Sequence, residues 1–390
     1  MTLTTDFECG SGTARQISEN HWEIDTVGDS FGYNKFFCFE AENLDGESPA
    51  DLRVDVFPDP ALGASSHFLG HFPSNIWYSA RNWQRWIPLR HTWEQSVDFL
   101  PDRISLRIPL GPGARFQVAT NPPFRYSDFL KWVQGLKDST CETLTVSSLG
   151  ASFEKREIPL VTIGDGPVRL VVLAGQHASE HSGVWATKCI VDFLLSSAAE
   201  AARLRKAFTF SLVPMLNPDG NVLGRSGAGA EQFEVNNSLD FGGVLRGEAP
   251  LYTENRLLWE WLRNEKPEVF LHFHGYLGWR AFGDLPADGI YFNPPFPDSD
   301  ARSPHARYRQ AILERFLFDT PGHSGHFGEV GENLPGMVDY ALARAFGTSA
   351  LLYEVNSGTV GVSEQYRRGL QVLRALTTAV LESRGGEPLP

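Results

Sequence analysis

The hydrophobic pattern of this 390-residue chain changes once, near residue 121, and that change limits the possible folds more than any other feature. Before it, short runs of strand-forming residues recur roughly every 8 to 12 residues, separated by Gly, Pro, Asn and Asp, which is typical of an antiparallel β-sandwich. The predicted strands are His21–Val27, Lys35–Asn43, Asp51–Phe57, Ser74–Ala80, Trp83–Leu89, Thr92–Leu100, Arg103–Leu110 and Arg115–Thr120.

The segment 121–129, Asn-Pro-Pro-Phe-Arg-Tyr-Ser-Asp-Phe, interrupts the β pattern because proline cannot donate to a strand ladder. Strands and helices alternate beyond it, which favours a mixed α/β sheet covered by helices. We therefore predict a β-sandwich accessory domain at 1–120 and an α/β catalytic domain at 121–390. The predicted catalytic-domain helices are Tyr126–Leu136, Ser182–Leu195 and Glu254–Arg263, and the predicted strands are Glu142–Ser148, Lys155–Ile163, Val168–Ala174, Ala207–Pro214 and Glu268–Phe273.

Charge and composition exclude several classes of partner. The formal net charge is −13 and no Lys/Arg cluster is present, so neither nucleic acid nor an anionic membrane is an expected partner. The sequence has no basic segment followed by an apolar run at its N-terminus and no run of about 18 apolar residues. We expect a soluble cytoplasmic protein whose four widely spaced cysteines are reduced.

The first candidate metal ligands follow a predicted strand, in the segment Gly-Gln-His-Ala-Ser-Glu-His-Ser-Gly at 175–183. His177 and Glu180 are three residues apart where a helix is predicted to begin, so an imidazole and a carboxylate can converge on one cation. Alone, the pair also fits a surface histidine beside a helix-capping glutamate. His181 is a further possible ligand, which we interpret as a neighbour of the site.

The second candidate is a histidine at the end of the apolar run 268–276, Glu-Val-Phe-Leu-His-Phe-His-Gly-Tyr. Strand alternation places His272 and His274 on the same face, and His274 is closer to the strand end, where a site at the sheet edge would lie. We predict His274 as the ligand. His272 is either a hydrogen-bonding partner of the site or a plain packed histidine.

A single carboxylate lies within a third apolar run, 349–357, Ser-Ala-Leu-Leu-Tyr-Glu-Val-Asn-Ser. A charge there is costly unless a function requires it, although Glu354 could also face water from an edge strand. Beside a metal-activated water, such a carboxylate can serve as general base. Arg225 and Arg246 occupy glycine-rich loops, and either could bind a substrate carboxylate or an oxyanion or could be simply solvated.

Taken in order, the segments GQHASEHSG, VPMLNPDG, VFLHFHGY and ALLYEVNS resemble the metallocarboxypeptidase superfamily, and specifically its cytosolic carboxypeptidase-like branch. The resemblance covers nearly the whole chain and implies an N-terminal β-sandwich before a zinc-carboxypeptidase-type catalytic domain. It implies one Zn²⁺ per chain held by His177, Glu180 and His274, with water in the fourth position. It further implies Glu354 as general base and Arg225 as the group that stabilises the oxyanion.

Three positions depart from the family pattern. Ala178-Ser179 replaces the usual Pro-Gly between the first two ligands, which should be harmless because neither side chain is a ligand. Asn236-Asn237 stands where the family has an Asn-Arg pair that binds the substrate's terminal carboxylate. The family's tyrosine, about two dozen residues before the base, is not evident, and the nearest loop supplies other candidate substrate-binding residues, His323 and His326.

The resulting hypothesis is a zinc hydrolase that cleaves an amide bond in a peptide or peptide-like small molecule, with altered recognition of the substrate carboxylate. The substrate-binding candidates are Asn236, Asn237, Arg246, His323 and His326. A zinc amidase or deacylase that needs no free C-terminal carboxylate is the alternative within hydrolases. A catalytically silent binding protein is the alternative from another class. The sequence leaves the oligomeric state open.

Overall fold

The fold is taken from a computed structural model that describes residues 1–33, 36–61, 75–80, 85–89, 96–276, 288–291, 308, 311–312, 314–315 and 334–385. Among the described residues up to 119, ten strands form two five-stranded sheets. In chain order they are β1 (Thr2–Thr4), β2 (Thr13–Ser18), β3 (His21–Asp25), β4 (Cys38–Glu42), β5 (Ala50–Phe57), β6 (Ile76–Ser79), β7 (Ile87–Leu89), β8 (Ser96–Phe99), β9 (Ile104–Leu110) and β10 (Arg115–Ala119).

The two sheets have the strand orders β1-β4-β10-β6-β7 and β2-β3-β5-β9-β8. Their neighbours are antiparallel, except that β3 and β5 run parallel. Alternate residues of β5, Leu52, Val54 and Val56, are fully buried in the core of this sandwich, as a half-buried strand requires. The predicted N-terminal sandwich is therefore confirmed, with one parallel pair that hydrophobic alternation could not reveal.

A seven-stranded mixed sheet follows, with the order β11-β12-β14-β13-β15-β17-β16. Its strands are β11 (Leu144–Ala151), β12 (Glu157–Ile163), β13 (Val168–Leu173), β14 (Phe208–Val213), β15 (Val269–Tyr276), β16 (Gly289–Tyr291) and β17 (Ser349–Asn356). The central four, β14-β13-β15-β17, are parallel to one another. Such strands are buried on both faces, which explains why β13, β15 and β17 are nearly continuous apolar runs.

Seven helices belong to this α/β part within the described ranges. They are α1 (Tyr126–Leu136), α2 (His181–Leu194), α3 (Ala199–Ala207), α4 (Pro218–Val222), α5 (Thr253–Glu265), α6 (Val338–Phe346) and α7 (Val362–Ser383). Apolar faces of α2 and α7 pack on the sheet in one core, while α5 and α6 contribute to a second core that contains Phe270 and Leu258. None of the described helices is long and apolar enough to cross a bilayer.

The sequence predicted most of the strands but missed β1, β2 and β16, and it missed the helices α3, α4, α6 and α7. β1 has only three residues, and β2 exposes nearly all of its side chains, so neither carries a hydrophobic alternation. The helix α3 buries only Ala201 and Leu204, so its apolar period is faint. The predicted domain boundary falls between β10 and α1, and we retain the division at 120/121 as a proposal.

Parallel topology determines where a site can form. The carboxyl ends of β13, β14, β15 and β17 meet at one edge of the sheet, and this is where ligands bind in sheets of this type. The segment after β13 contains His177, the segment after β14 contains Asn217, and His274 and Glu354 lie near the ends of β15 and β17.

Candidate metal centre

The turn between β13 and α2 holds two candidate ligands on a fixed backbone. Its amides at Ala178 and Ser179 donate to the carbonyl oxygens of Gly227 and Ser226, over 3.2 and 3.1 Å. The Ser179 hydroxyl also donates to the Ser226 carbonyl, over 2.6 Å. Since these bonds lie between His177 and Glu180, they fix the separation of the two side chains.

His177, Glu180 and His274 come together in the structure, all three buried, with their potential ligand atoms within 4.8 Å of one another. The two Nδ1 atoms are 3.2 Å apart. Each Nδ1 lies near a different oxygen of the Glu180 carboxylate, 2.9 Å away for His177 and 2.8 Å for His274. Two imidazole nitrogens and a carboxylate that converge in this way form a donor set suited to zinc.

The hydrogen bonding of His177 indicates which of its nitrogens is free to bind a metal. Its Nε2 lies 3.1 Å from Asn236 Oδ1, which also accepts from the Ser238 amide over 2.9 Å. Because that amide oxygen can only accept, Nε2 carries the proton, and the Nδ1 lone pair faces the cluster. The residues present therefore fit a zinc ion bound through Nδ1.

The electrostatics of the cluster favour the protonation states that bind a metal. Burial tends to raise the pKa of Glu180, but the neighbouring His177 and His274 outweigh it and hold that pKa well below its usual range. Burial, aided by His272, lowers the pKa of His274 and so keeps its imidazole neutral. A carboxylate and a neutral imidazole are the forms in which these residues bind metals.

The two other nearby histidines have different partners. His272 Nδ1 lies 3.0 Å from Asp339 Oδ2, both side chains are almost completely buried, and its ring packs 4.2 Å from that of His274. His272 thus packs against the imidazole ring of His274 and helps to hold it in place. His181 lies 3.4 Å from the Asn221 amide and packs against Phe36, and burial lowers its pKa to about 3. It is not part of the cluster.

Glu354 lies beside His274 across the sheet. The two residues are partners in the parallel register of β15 and β17, so their side chains lie on the same face of the sheet, about 5 Å apart at the backbone. β17 also pairs with β16, so Glu354 is not on an edge strand. The next residue of β15 is Gly275, where a Cβ would lie 2.2 Å from Ser182 Oγ; only glycine allows the strand to pass this close to the start of α2.

The remaining predicted site residues differ in their burial and hydrogen bonding. Arg225 is half-buried, and its Nε is buried without a hydrogen-bond partner among the residues that the structure describes, as expected for a donor that awaits a ligand. The Asn237 amide donates to the carbonyl oxygens of Gln176 and Gly227, so it stabilises the backbone next to His177. His323 and His326 lie outside the described residues.

The structure does not bring Arg246 into the cluster. Its guanidinium forms a surface pair with Glu248, over 2.9 Å, and its side chain is 67% exposed. Asn236 also differs from its expected role in substrate binding, because its oxygen is engaged by His177 and Ser238. Sequence reasoning missed this contact and that of Asp339, since neither position belongs to a recognisable spacing pattern.

Asn236→Ala should weaken zinc binding by roughly 10 to 100-fold, since it removes the acceptor that sets the His177 tautomer. Asn236→Asp should retain most of the affinity, because a carboxylate oxygen can accept from both His177 and Ser238. Competition with a chromophoric chelator would measure both affinities. Equal affinities for Asn236→Ala and the unmodified chain would contradict the tautomer argument.

The fold and the donor set resemble those of zinc metallohydrolases. Residues 129–312 match the family described as zinc carboxypeptidase. The resemblance to the cytosolic branch is confirmed by cytosolic carboxypeptidase 6 of Caenorhabditis elegans, which is 25% identical over 242 residues, 57% of this chain and 51% of that protein. Cytosolic carboxypeptidase 2 of Xenopus tropicalis is 30% identical over 167 residues, 40% of this chain and 17% of its own length.

The chain thus spans about half or less of the length of these two relatives. Solved structures extend the similarity of fold to nearly the full chain. A metallo-carboxypeptidase from Burkholderia cenocepacia superposes with a TM-score of 0.80 at 16% identity, covering 97% of this chain and 98% of that one. One from Pseudomonas aeruginosa, in complex with (2-guanidinoethylmercapto)succinic acid, gives 0.74 at 18% identity, covering 98% and 99%.

Proposed function

We propose that this protein hydrolyses an amide bond in a peptide or a peptide-like small molecule. The observation that carries the proposal is the convergence of His177, Glu180 and His274 beside Glu354 at the carboxyl edge of the parallel strands. Three protein ligands leave one zinc position for water or substrate, which is typical of catalytic rather than structural zinc sites. A carboxylate next to that position supplies the base that hydrolysis requires.

A zinc ion held by His177, Glu180 and His274 would act as a Lewis acid that polarises the substrate carbonyl and lowers the pKa of water, so that water can lose a proton near neutral pH. Glu354 accepts the proton of the attacking water and returns it to the leaving amine. Arg225 donates to the oxyanion that forms on the former carbonyl oxygen, a role to which its Nε is suited, because this atom is buried and has no hydrogen-bond partner among the described residues. His272 and Asn236 hold the two ligand rings in place.

We also propose that recognition of the substrate's terminal carboxylate is altered. Position 237 is asparagine where the resembled family has arginine, and its amide already donates to Gln176 and Gly227. An amide cannot reproduce the paired, charge-assisted contact that arginine makes with a carboxylate. Losing such a bond costs about 1.5–3 kcal/mol, which corresponds to about 10 to 100-fold in affinity.

Peptides with a free C-terminal carboxylate should therefore have little advantage over the same peptides with a C-terminal amide. We would compare kcat/KM for the two forms across several terminal residues. Arg246→Ala is the matched control, because its surface pairing with Glu248 predicts no effect on the ratio of the two values. A strong preference for the free acid would show that the carboxylate is bound after all, and loss of that preference in Arg246→Ala would identify the residue responsible.

A zinc amidase or deacylase is the second candidate, favoured by the same occupied asparagine at 237. In the comparison of kcat/KM values, such an enzyme would prefer peptides with a C-terminal amide over those with a free carboxylate. A silent binding protein fits less well, because the buried donor set of His177, Glu180 and His274 carries a stability cost without a ligand.

We further propose a cytoplasmic location, supported by the names of the cytosolic relatives. Neither nucleic acid nor a membrane is a proposed partner, because the net charge is −13.

A further inference from the structure

A loop of the N-terminal sandwich reaches the metal centre, where the sequence predicted no site residue. It follows β3, and its Tyr33 ring meets the ring of His177 edge-on, with centroids 5.4 Å apart and an interplanar angle of 75°. Asp29, in the same loop, is only 1% exposed. Its amide donates to the Tyr33 carbonyl and its carbonyl accepts from the Gly32 amide, both over 2.8 Å, so the loop is a closed turn.

The Asp29 carboxylate binds the backbone of the catalytic domain. Its Oδ2 accepts from the amides of Gly227 and Ala228, over 2.6 and 3.1 Å. A carboxylate that accepts from backbone amides forms charge-assisted bonds, which are stronger than neutral ones. These amides are 198 and 199 residues from Asp29 in sequence.

The bound segment, residues 225–228, holds the ligand turn on its other side. The carbonyl oxygens of Ser226 and Gly227 accept from the amides of Ser179 and Ala178, which lie between His177 and Glu180. The Ser226 hydroxyl also accepts from the Phe36 amide of the sandwich, over 3.2 Å. Hydrogen bonds therefore connect Asp29 through this segment to the backbone between the two ligands.

Gly227 shows how closely the sandwich approaches this segment. A Cβ there would lie 2.9 Å from Phe31, 3.0 Å from Tyr33 and 3.2 Å from Asp29 Oδ2. Arg225 begins the segment, and its amide donates to the Gly220 carbonyl over 2.9 Å. Burial raises the pKa of Asp29 to about 6. The backbone amides that bind its carboxylate and the positive charge of Arg225 act in the opposite direction and limit this increase.

We propose that Asp29 is a positioning residue of the metal centre. Through Asp29, the N-terminal sandwich helps to fix the geometry of the active site. Asp29 fixes the segment 225–228, which in turn sets the separation of His177 and Glu180 and the placement of Arg225. The part that concerns Arg225 rests on the proposed function. The part that concerns the ligands depends only on the metal site.

Asp29→Ala in the full chain should release zinc faster by about 10-fold or more, since lost outer partners cost about 10 to 100-fold in metal affinity. It should also change the visible absorption spectrum of the cobalt(II)-substituted chain, which reports ligand geometry without any substrate. We expect kcat to fall by about 10 to 100-fold with little change in KM, because small misplacements of catalytic groups act on the transition state. Asp29→Asn, whose amide oxygen can accept from both backbone amides, should recover most of each loss.

Asp59→Ala is the matched control. Asp59 accepts from the amide of Gly28 in the same loop and from that of Ala61, over 2.9 and 2.8 Å, and neither of these bonds involves the segment 225–228. We expect it to leave the cobalt spectrum, zinc release and kcat unchanged. The inference is overturned if Asp29→Ala keeps the unmodified cobalt spectrum and zinc release rate, or if Asp59→Ala alters them equally. Absence of amide hydrolysis by the unmodified chain would instead overturn the proposed function, so the two failures are distinguishable.

Discussion

Glu354→Gln should leave zinc bound and the fold intact while lowering kcat by about 10² to 10⁴-fold, the usual cost of removing a general base. Glutamine has nearly the same shape as glutamate, so it can occupy the same place in β17 beside His274. Its amide cannot accept the proton of the attacking water. Steady-state kinetics on a peptide substrate would measure kcat, and metal analysis of the same preparation would show that zinc is retained.

Glu248→Gln provides a control for the effect of exchanging a glutamate for glutamine elsewhere on the chain. It removes only the charge that pairs with Arg246 at the surface. Its kcat should match that of the unmodified chain. Near-normal turnover by Glu354→Gln would refute the role of Glu354 as general base, and loss of zinc from that variant would show that its carboxylate contributes to metal binding instead.

His177→Ala and His274→Ala should each reduce bound zinc from one per chain to a small fraction and abolish hydrolysis. Either change removes one of the three ligands found among the described residues, and the two remaining groups cannot complete a catalytic zinc site. The measurement is metal content of protein purified without added zinc, together with activity after zinc is restored. Treatment with a chelator should have the same effect on the unmodified chain, reversed by zinc.

His272→Gln is the matched histidine variant for this experiment. Its side-chain amide can still donate to Asp339, which would otherwise be a buried carboxylate without a partner. We expect it to retain most of its zinc but to unfold at a lower temperature, because the packing against His274 is lost. Equal loss of zinc from His272→Gln and His274→Ala would show that strand position does not separate the ligand from its neighbour.

The succession of strand-like and helix-like segments was sufficient to predict the mixed sheet, and apolar spacing predicted the helix α1 with the bounds Tyr126–Leu136 that the structure shows. This helix buries Tyr126, Phe129, Val133 and Leu136, so its apolar spacing is strong. Hydrophobic spacing carries no information about an exposed strand such as β2, nor about the direction in which β3 and β5 pair. Those features depend on contacts between distant segments.

The sequence by itself predicted the types and order of the groups in the candidate site, because they lie at or shortly after strand ends and follow short-range patterns. His177 and Glu180 are three residues apart, and His274 and Glu354 end apolar runs that only buried parallel strands would need. Tertiary structure alone decided what holds these groups in place. Asn236 is 59 residues from His177, Asp339 is 67 from His272, and Asp29 is 198 from Gly227. Hydrogen bonds over such separations leave no periodic trace in a sequence, since each needs only one polar atom that folding brings within about 3 Å of its partner.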